Sequence, residues 1–367
     1  MLRYCRKERK GEHVRIGIPK EIKSNEGRVA LIPSATAELV KHGHEVYLQA
    51  GAGVASGYAD IDYCNAGVKI MEGAVDLYAE AQLVLKVKEP VAAEYGLLHS
   101  EHILFCFLHL ATNPELALVL QEKGLTAVAF ETVDVEGQRP VLAPMSQIAG
   151  RLAVHIGTTL LHTPAGGRGV LLGGLPASGR GHVVVIGAGN VGRNAAAAAA
   201  ALGTRVSVFG RNSESLARAH GLGPNVTALP AYRPLIAEAI YDADLLVGAV
   251  LIAGARTPKV ISTDMVAQMK PGSAIVDVSV DQGGCVETIH PTDYDDPTYV
   301  HNEVTHFGVT NMPGAVPRTS SQALSGALLP FVSRLASAEG LSDPVMRKAI
   351  NIAQGGIVHP AVAEALA

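Results

Sequence analysis

The stretch from His182 to Gly203, HVVVIGAGNVGRNAAAAAAALG, constrains this chain more than any other. An apolar run passes into Gly187-Ala188-Gly189-Asn190-Val191-Gly192, and an alanine-rich helix former follows at once. Each glycine has a physical task. Gly187 permits the tight turn, Gly189 lets the backbone approach a pyrophosphate, and Gly192 lets the helix pack on the strand. Asn190 and Val191 belong to the same turn, where unpaired N–H groups and the positive end of the helix dipole favour phosphate. A bare GxGxxG is a weak signal, but one flanked by a strand and a helix marks a dinucleotide site.

The rest of the chain repeats the same alternation. Apolar runs such as VRIGIP (14–19), LVLKVKEP (83–90), HILFCFLHL (102–110), RVSVFG (205–210) and SAIVDVSV (273–280) are separated by helix-like segments. Helices are expected over Pro33 to His42, Asn190 to Leu202 and about Met145 to His162. Strands alternating with helices imply parallel sheets covered on both faces. The expected fold is α/β with two doubly wound domains, one of them a Rossmann dinucleotide-binding domain, and an active-site cleft between them. The boundaries expected are 1–141 with 314–367 for the substrate domain and 142–313 for the dinucleotide domain. The tail after NMPGAVPRTSSQALSGALLPFV reads as helical to its end.

About 20 residues past the glycine turn, an NAD-preferring site places a carboxylate on the adenosine ribose. Here Gly210 stands at the end of the second strand, and no acid appears until Glu214. Arg211, Asn212 and Ser213 offer a guanidinium, an amide and a hydroxyl, all able to donate to a 2′-phosphate. Loss of the carboxylate also removes its repulsion of that phosphate. The expectation is NAD(P) with NADP(H) favoured; the alternative is a solvated Arg211 beside a looser NAD site.

Chemistry in open α/β sheets sits beyond the carboxyl ends of strands. His109 follows a long apolar run, and Lys86 and Lys88 lie two apart, on one face of an extended strand. Asp277 and Asp281, four apart, also share one face of an extended strand, and Arg28 lies in the loop after the first strand. Each has a plainer reading: a hydrogen-bonded core histidine, a snorkelling lysine, a capping aspartate, and a surface bridge from Arg28 to Glu21 or Glu26. His99 and His102 lack a third ligand, and HPTDYDDP (290–297) reads as a turn, so no metal is expected.

Composition narrows the partners. A net charge of −4 with a pI near 6.4 gives no footprint for nucleic acid. No apolar run approaches the ~20 residues of a membrane-spanning helix. Cys5, Cys64, Cys106 and Cys285 form no CxxC pair, which fits a reducing cytoplasm. The leader MLRYCRKERKGEH is basic but lacks the apolar centre of a signal peptide, and reads as solvated.

From Val14 to its end the chain resembles the alanine dehydrogenase family, which shares its architecture with the NAD-binding part of proton-translocating transhydrogenase. The resemblance rests on IGIPKEIKSNEGRVALIP, GHEVYLQAGAG, VLKVKEP, ILFCFLHLA, LAPMSQIAGR, GGRGVLLGG, VVIGAGNVG, VDVSVDQGGC and NMPGAVPRTS. It implies that Arg28 and Lys88 hold the substrate, that His109 is the general acid/base, and that Asp281 acts near the water or ammonia. It also assigns Met145, Ser146, Val250, Leu251, Asn311 and Met312 to the cofactor. The implied reaction is reversible oxidative deamination of L-alanine to pyruvate and ammonia in a homo-oligomer, a hexamer as in many family members. Another small amino acid as substrate, or a transhydrogenase-type nucleotide-binding subunit without substrate chemistry, are the alternatives. The family's usual strand-end aspartate falls at Gly210.

Overall fold

The computed structural model describes residues 13–250 and 257–367, so residues 1–12 of the basic leader and Leu251 lie outside the described residues. The described chain divides into two compact units. One comprises the residues up to Pro144 together with Gly314–Ala367, the other Met145–Pro313.

The first unit is built on six strands in parallel: β1 (Arg15–Ile18), β2 (Glu45–Gln49), β3 (Lys69–Met71), β4 (Leu83–Leu85), β5 (Ile103–Cys106) and β6 (Thr126–Ala129). In the second unit lie β7 (His182–Ile186), β8 (Arg205–Gly210), β9 (Val226–Pro230), β10 (Leu245–Gly248), β11 (Ala274–Asp277), β12 (Thr298–His301) and β13 (Val304–Phe307). The tail is not helical throughout. It adds β14 (Ile350–Ala353) and β15 (Gly356–Ile357), a hairpin that pairs antiparallel with β6. The Gln354-Gly355 turn, both residues at positive φ, is the signal for it in the sequence.

The first sheet runs β15-β14-β6-β5-β4-β1-β2-β3, and the second β12-β13-β11-β10-β7-β8-β9. Within the second, every pairing is parallel except β12 with β13. Both faces of this sheet are covered, which is why its strands read as near-continuous apolar runs. Val183 and Val185 pack with Ala195, Ala196 and Ala199 on one face. Val184 and Ile186 pack with Ile236, Leu246 and Met265 on the other.

The long helix expected from Met145 spans Ala143–Leu160, starting and stopping two residues earlier. Pro144 suits the start, since proline's fixed φ and missing N–H are best accommodated in a helix's first turn. Within the second unit, Gly150 meets the helix Asn190–Ala201 so closely that a Cβ there would lie 2.2 Å from the Val191 carbonyl oxygen.

Candidate active site

In the second unit the chain reverses direction across the sheet at β7, whose neighbours are β8 on one side and β10 on the other. A crevice forms at such a switch point, outside the carboxyl ends of the strands. Gly187 occupies φ 114°, open to glycine alone, and a Cβ there would lie 2.3 Å from the Ala249 carbonyl oxygen. Gly192 is tighter still, with its Cβ position 1.7 Å from the Gly187 oxygen. Gly189 is the opposite case: exposed, with open space where a side chain would be. The 12-residue helix Asn190–Ala201 begins directly after it, with no side-chain cap at its N-terminus. Its first N–H groups therefore remain for a ligand, and this turn fits a pyrophosphate.

Other residues assigned to the cofactor follow neighbouring strands of the same sheet. Val250 follows β10, and its amide donates to Ser279 Oγ at 2.9 Å. Asn311 has a left-handed backbone at φ 62°, and the Met312 carbonyl accepts from Tyr294 Oη at 3.1 Å. Ser146 and Gly150 are four apart and so share a helix face, the one that meets the first turn after the glycine loop.

At the end of β8, Gly210 is buried and Arg211 and Asn212 are exposed. A Cβ at Gly210 would sit 2.9 Å from the Ala188 Cβ and 3.2 Å from Leu216 Cδ2, so a carboxylate-bearing residue would crowd the glycine turn. Asn212 has a structural task, since its Oδ1 caps the next helix by accepting from the Ser215 amide at 2.9 Å.

Asp277 and Asp281 do not share a strand face. The strand ends at Asp277, and Val278–Gln282 form a 3₁₀ turn that leaves Asp281 exposed. Asp277 is buried and accepts from the amides of Ser279 (2.9 Å), Cys285 (2.7 Å) and Val286 (3.1 Å). It closes the loop that carries Asp281. Burial pushes its carboxyl up, against the pull of those three amides.

In the first unit, β5, β4 and β1 are consecutive parallel neighbours. The segments leaving their carboxyl ends carry His109, Lys88 and Arg28 respectively, so the topology brings these three to one sheet edge. Arg28 is buried, not part of a surface bridge. Its Nε donates to Glu26 Oε1 at 2.7 Å and its Nη2 to Glu26 Oε2, a two-pronged pair with both side chains out of water. The helix Pro317–Ala336 fixes this loop from below, with Ser321 Oγ accepting from the Val29 amide and Ser325 Oγ from that of Ile32.

Lys86 and Lys88 have different fates, because β4 ends at Leu85. Lys86 is fully buried between Glu21 (3.2 Å) and Glu94 (2.7 Å), while Lys88 is half-buried. Burial alone would lower the Lys86 ammonium's pKa, but the two carboxylates outweigh it and hold the group above its ordinary range. Burial pushes the Glu21 carboxyl up, despite Lys86 and the Val87 amide.

His109 stands three residues past β5, exposed, with a left-handed backbone at φ 49°. Such a conformation is costly for a residue with a Cβ and is kept only when its surroundings enforce it. Glu131 does so. Its carboxylate accepts from the amides of His109 (2.6 Å) and Leu108 (3.3 Å) and lies 4.0 Å from His109 Nδ1. The Phe107 ring lies parallel to the imidazole, centroids 5.7 Å apart. The partner of His109, Glu131, is the residue that sequence reasoning missed, while Glu26 was foreseen only as one end of a surface bridge. Glu131 follows β6, the strand beside β5, and that adjacency was its only signal.

The model of the alanine dehydrogenase/PNT N-terminal domain matches residues 17–149, and that of the C-terminal domain matches 153–360. This chain belongs to the alanine dehydrogenase/PNT family. An alanine dehydrogenase of Bacillus subtilis is 45% identical over 96% of this chain and 94% of its own. A solved L-alanine dehydrogenase superposes with a TM-score of 0.92 at 47% identity, covering 96% of this chain and 98% of that one. A transhydrogenase from Sinorhizobium meliloti superposes at 0.82 with 27% identity, covering 95% and 99%. Family membership implies a nicotinamide cofactor, which the glycine turn fits.

Proposed function

We propose that this protein is an alanine dehydrogenase, interconverting L-alanine with pyruvate and ammonia while hydride passes between the substrate α-carbon and nicotinamide C4. What supports this reading is that the segments leaving the carboxyl ends of three adjacent parallel strands carry Arg28, Lys88 and His109. In this reading Arg28 and Lys88 orient the small oxo acid, a large share of the barrier in such reactions. His109 moves protons in the carbinolamine steps, and Asp281 acts near the water or ammonia. The bound nicotinamide supplies the hydride chemistry. Gly187, Gly189, Asn190, Val191 and Gly192 hold its pyrophosphate, with Met145, Ser146, Val250, Leu251, Asn311 and Met312 as further contacts.

NADP(H) is the favoured dinucleotide in this proposal. Its support is the missing carboxylate at buried Gly210 and the exposed Arg211 and Asn212 beside it, whose Nδ2 remains a donor while Oδ1 caps the helix. A cytoplasmic homo-hexamer, with the substrate domain formed by 1–141 and 314–367 and the dinucleotide domain by 142–313, completes the proposal. The test is pyruvate and ammonia with NADH or NADPH, followed at the nicotinamide absorbance band. No oxidation with either cofactor refutes the dehydrogenase reading. A kcat/KM for NADH well above that for NADPH refutes the phosphate-binding role of Arg211.

A further inference from the structure

Glu21 takes no part in the chemistry proposed above, yet it joins the loop that carries Arg28 to the backbone around Lys88. It stands in the loop after β1 that also carries Arg28, and it is buried. Its Oε1 accepts from the amide of Val87 at 2.6 Å and faces that of Lys88 at 3.4 Å. Its Oε2 meets the Lys86 ammonium at 3.2 Å. Three consecutive residues of the segment after β4 thus converge on one carboxylate.

The far side of that segment is equally fixed. Lys86 is held at 2.7 Å by Glu94, which accepts from Tyr78 Oη at 2.9 Å and from the Val91 amide at 3.0 Å. The Lys86 amide donates to the Phe105 carbonyl, and the Phe107 amide donates to the Val87 carbonyl. Lys88 therefore leaves a stretch of backbone tied to β5 on one side and to Glu21 on the other. A second tie between the two loops, the ion pair of Lys23 with Glu89, has its lysine exposed to water and contributes little.

A lysine has four rotatable bonds, so it holds a carboxylate in register only if its backbone is fixed. The geometry points to Glu21 as a positioning residue: a buried strut that sets the Lys88 backbone against the loop of Arg28, and so the spacing of the two substrate-holding cations. This inference rests on the proposed substrate reading, but its geometry can be tested without turnover.

Glu21→Asp keeps the charge and withdraws the carboxylate by one methylene, and Glu21→Gln keeps an acceptor oxygen without the charge. In Glu21→Asp, pyruvate KM rises by between about ten- and a hundredfold, the range that a misplacement of ~1 Å produces. The dissociation constant of the nicotinamide cofactor stays at the wild-type value. Amide hydrogen exchange at Val87 and Lys88 speeds up by at least about tenfold, the loss of roughly one hydrogen bond of stability. In Glu21→Gln both readouts move back toward wild type. Unchanged pyruvate KM in Glu21→Asp overturns the strut, and so does unchanged exchange at Val87 and Lys88. A wild-type protein that leaves pyruvate unreduced refutes the proposed substrate instead, and the exchange comparison still decides the strut.

Discussion

Acid should unfold this protein through its buried histidines before it reaches the carboxylates. His102 is the clearest case. Its ring is buried, Nε2–H donates to the Tyr78 carbonyl at 2.8 Å, and Nδ1 accepts from the His99 amide at 3.3 Å. Both nitrogens are thus committed in the neutral form, and a proton on Nδ1 would displace the His99 amide. Burial lowers the ring's pKa from 6.5 to about 4. Between those values the unfolded chain binds the proton and the folded chain does not, so stability falls as pH falls. At about 1.4 kcal/mol per pH unit the full loss is at most about 3 kcal/mol, of which about 2 kcal/mol is gone by pH 5. Burial likewise lowers His182 and His306 to about 4. All three therefore slope the same way over the same pH window, each weakening the fold as pH falls from 6.5 toward 4. Glu21 and Asp277, with raised pKa values, slope the other way, and Asp242, held near 2 by Lys270 and Arg205, matters only in stronger acid. The assay is urea unfolding at pH 7.5 and pH 5 for wild type and His102→Gln, whose amide can still donate to Tyr78. The difference in stability between the two pH values should shrink by about 2 kcal/mol in the variant. An equal pH dependence in both proteins refutes the argument.

Three further outcomes are expected. Gly192→Ala places a Cβ 1.7 Å from a backbone oxygen that no side-chain rotation can relieve. It should cost about 1–3 kcal/mol or more in thermal unfolding and weaken dinucleotide binding in a fluorescence titration. Arg211→Ala should weaken NADPH by about 10- to 100-fold, the worth of a charged hydrogen bond of about 1.5–3 kcal/mol, and leave NADH unchanged. Equal losses for both cofactors would remove Arg211 from phosphate recognition. His109→Ala should abolish turnover while cofactor binding stays near normal, and retained turnover would strike His109 from the acid/base role.

What the residues determined alone was whatever depends on local chemistry. The GxGxxG turn, the apolar runs and the alanine helix each require a strand, a turn or a helix whatever surrounds them, and their order dictates parallel α/β units. Gly210 was legible too, because an absent carboxylate is a property of one position. Tertiary structure decided where each polar group's electrostatic partner lies. Lys86 and Lys88 are alike on paper, and only the packing of Glu21 and Glu94 makes one a buried ion and leaves the other half in water. Asp277 and Asp281 looked equivalent until the strand stopped at Asp277 and turned it into the staple of the loop. Glu131 lies 22 residues from His109 along the chain, and no periodicity links them. The pairing of β5 with β6 does, because a sheet converts distant sequence into adjacent loop ends, and charges interact through space.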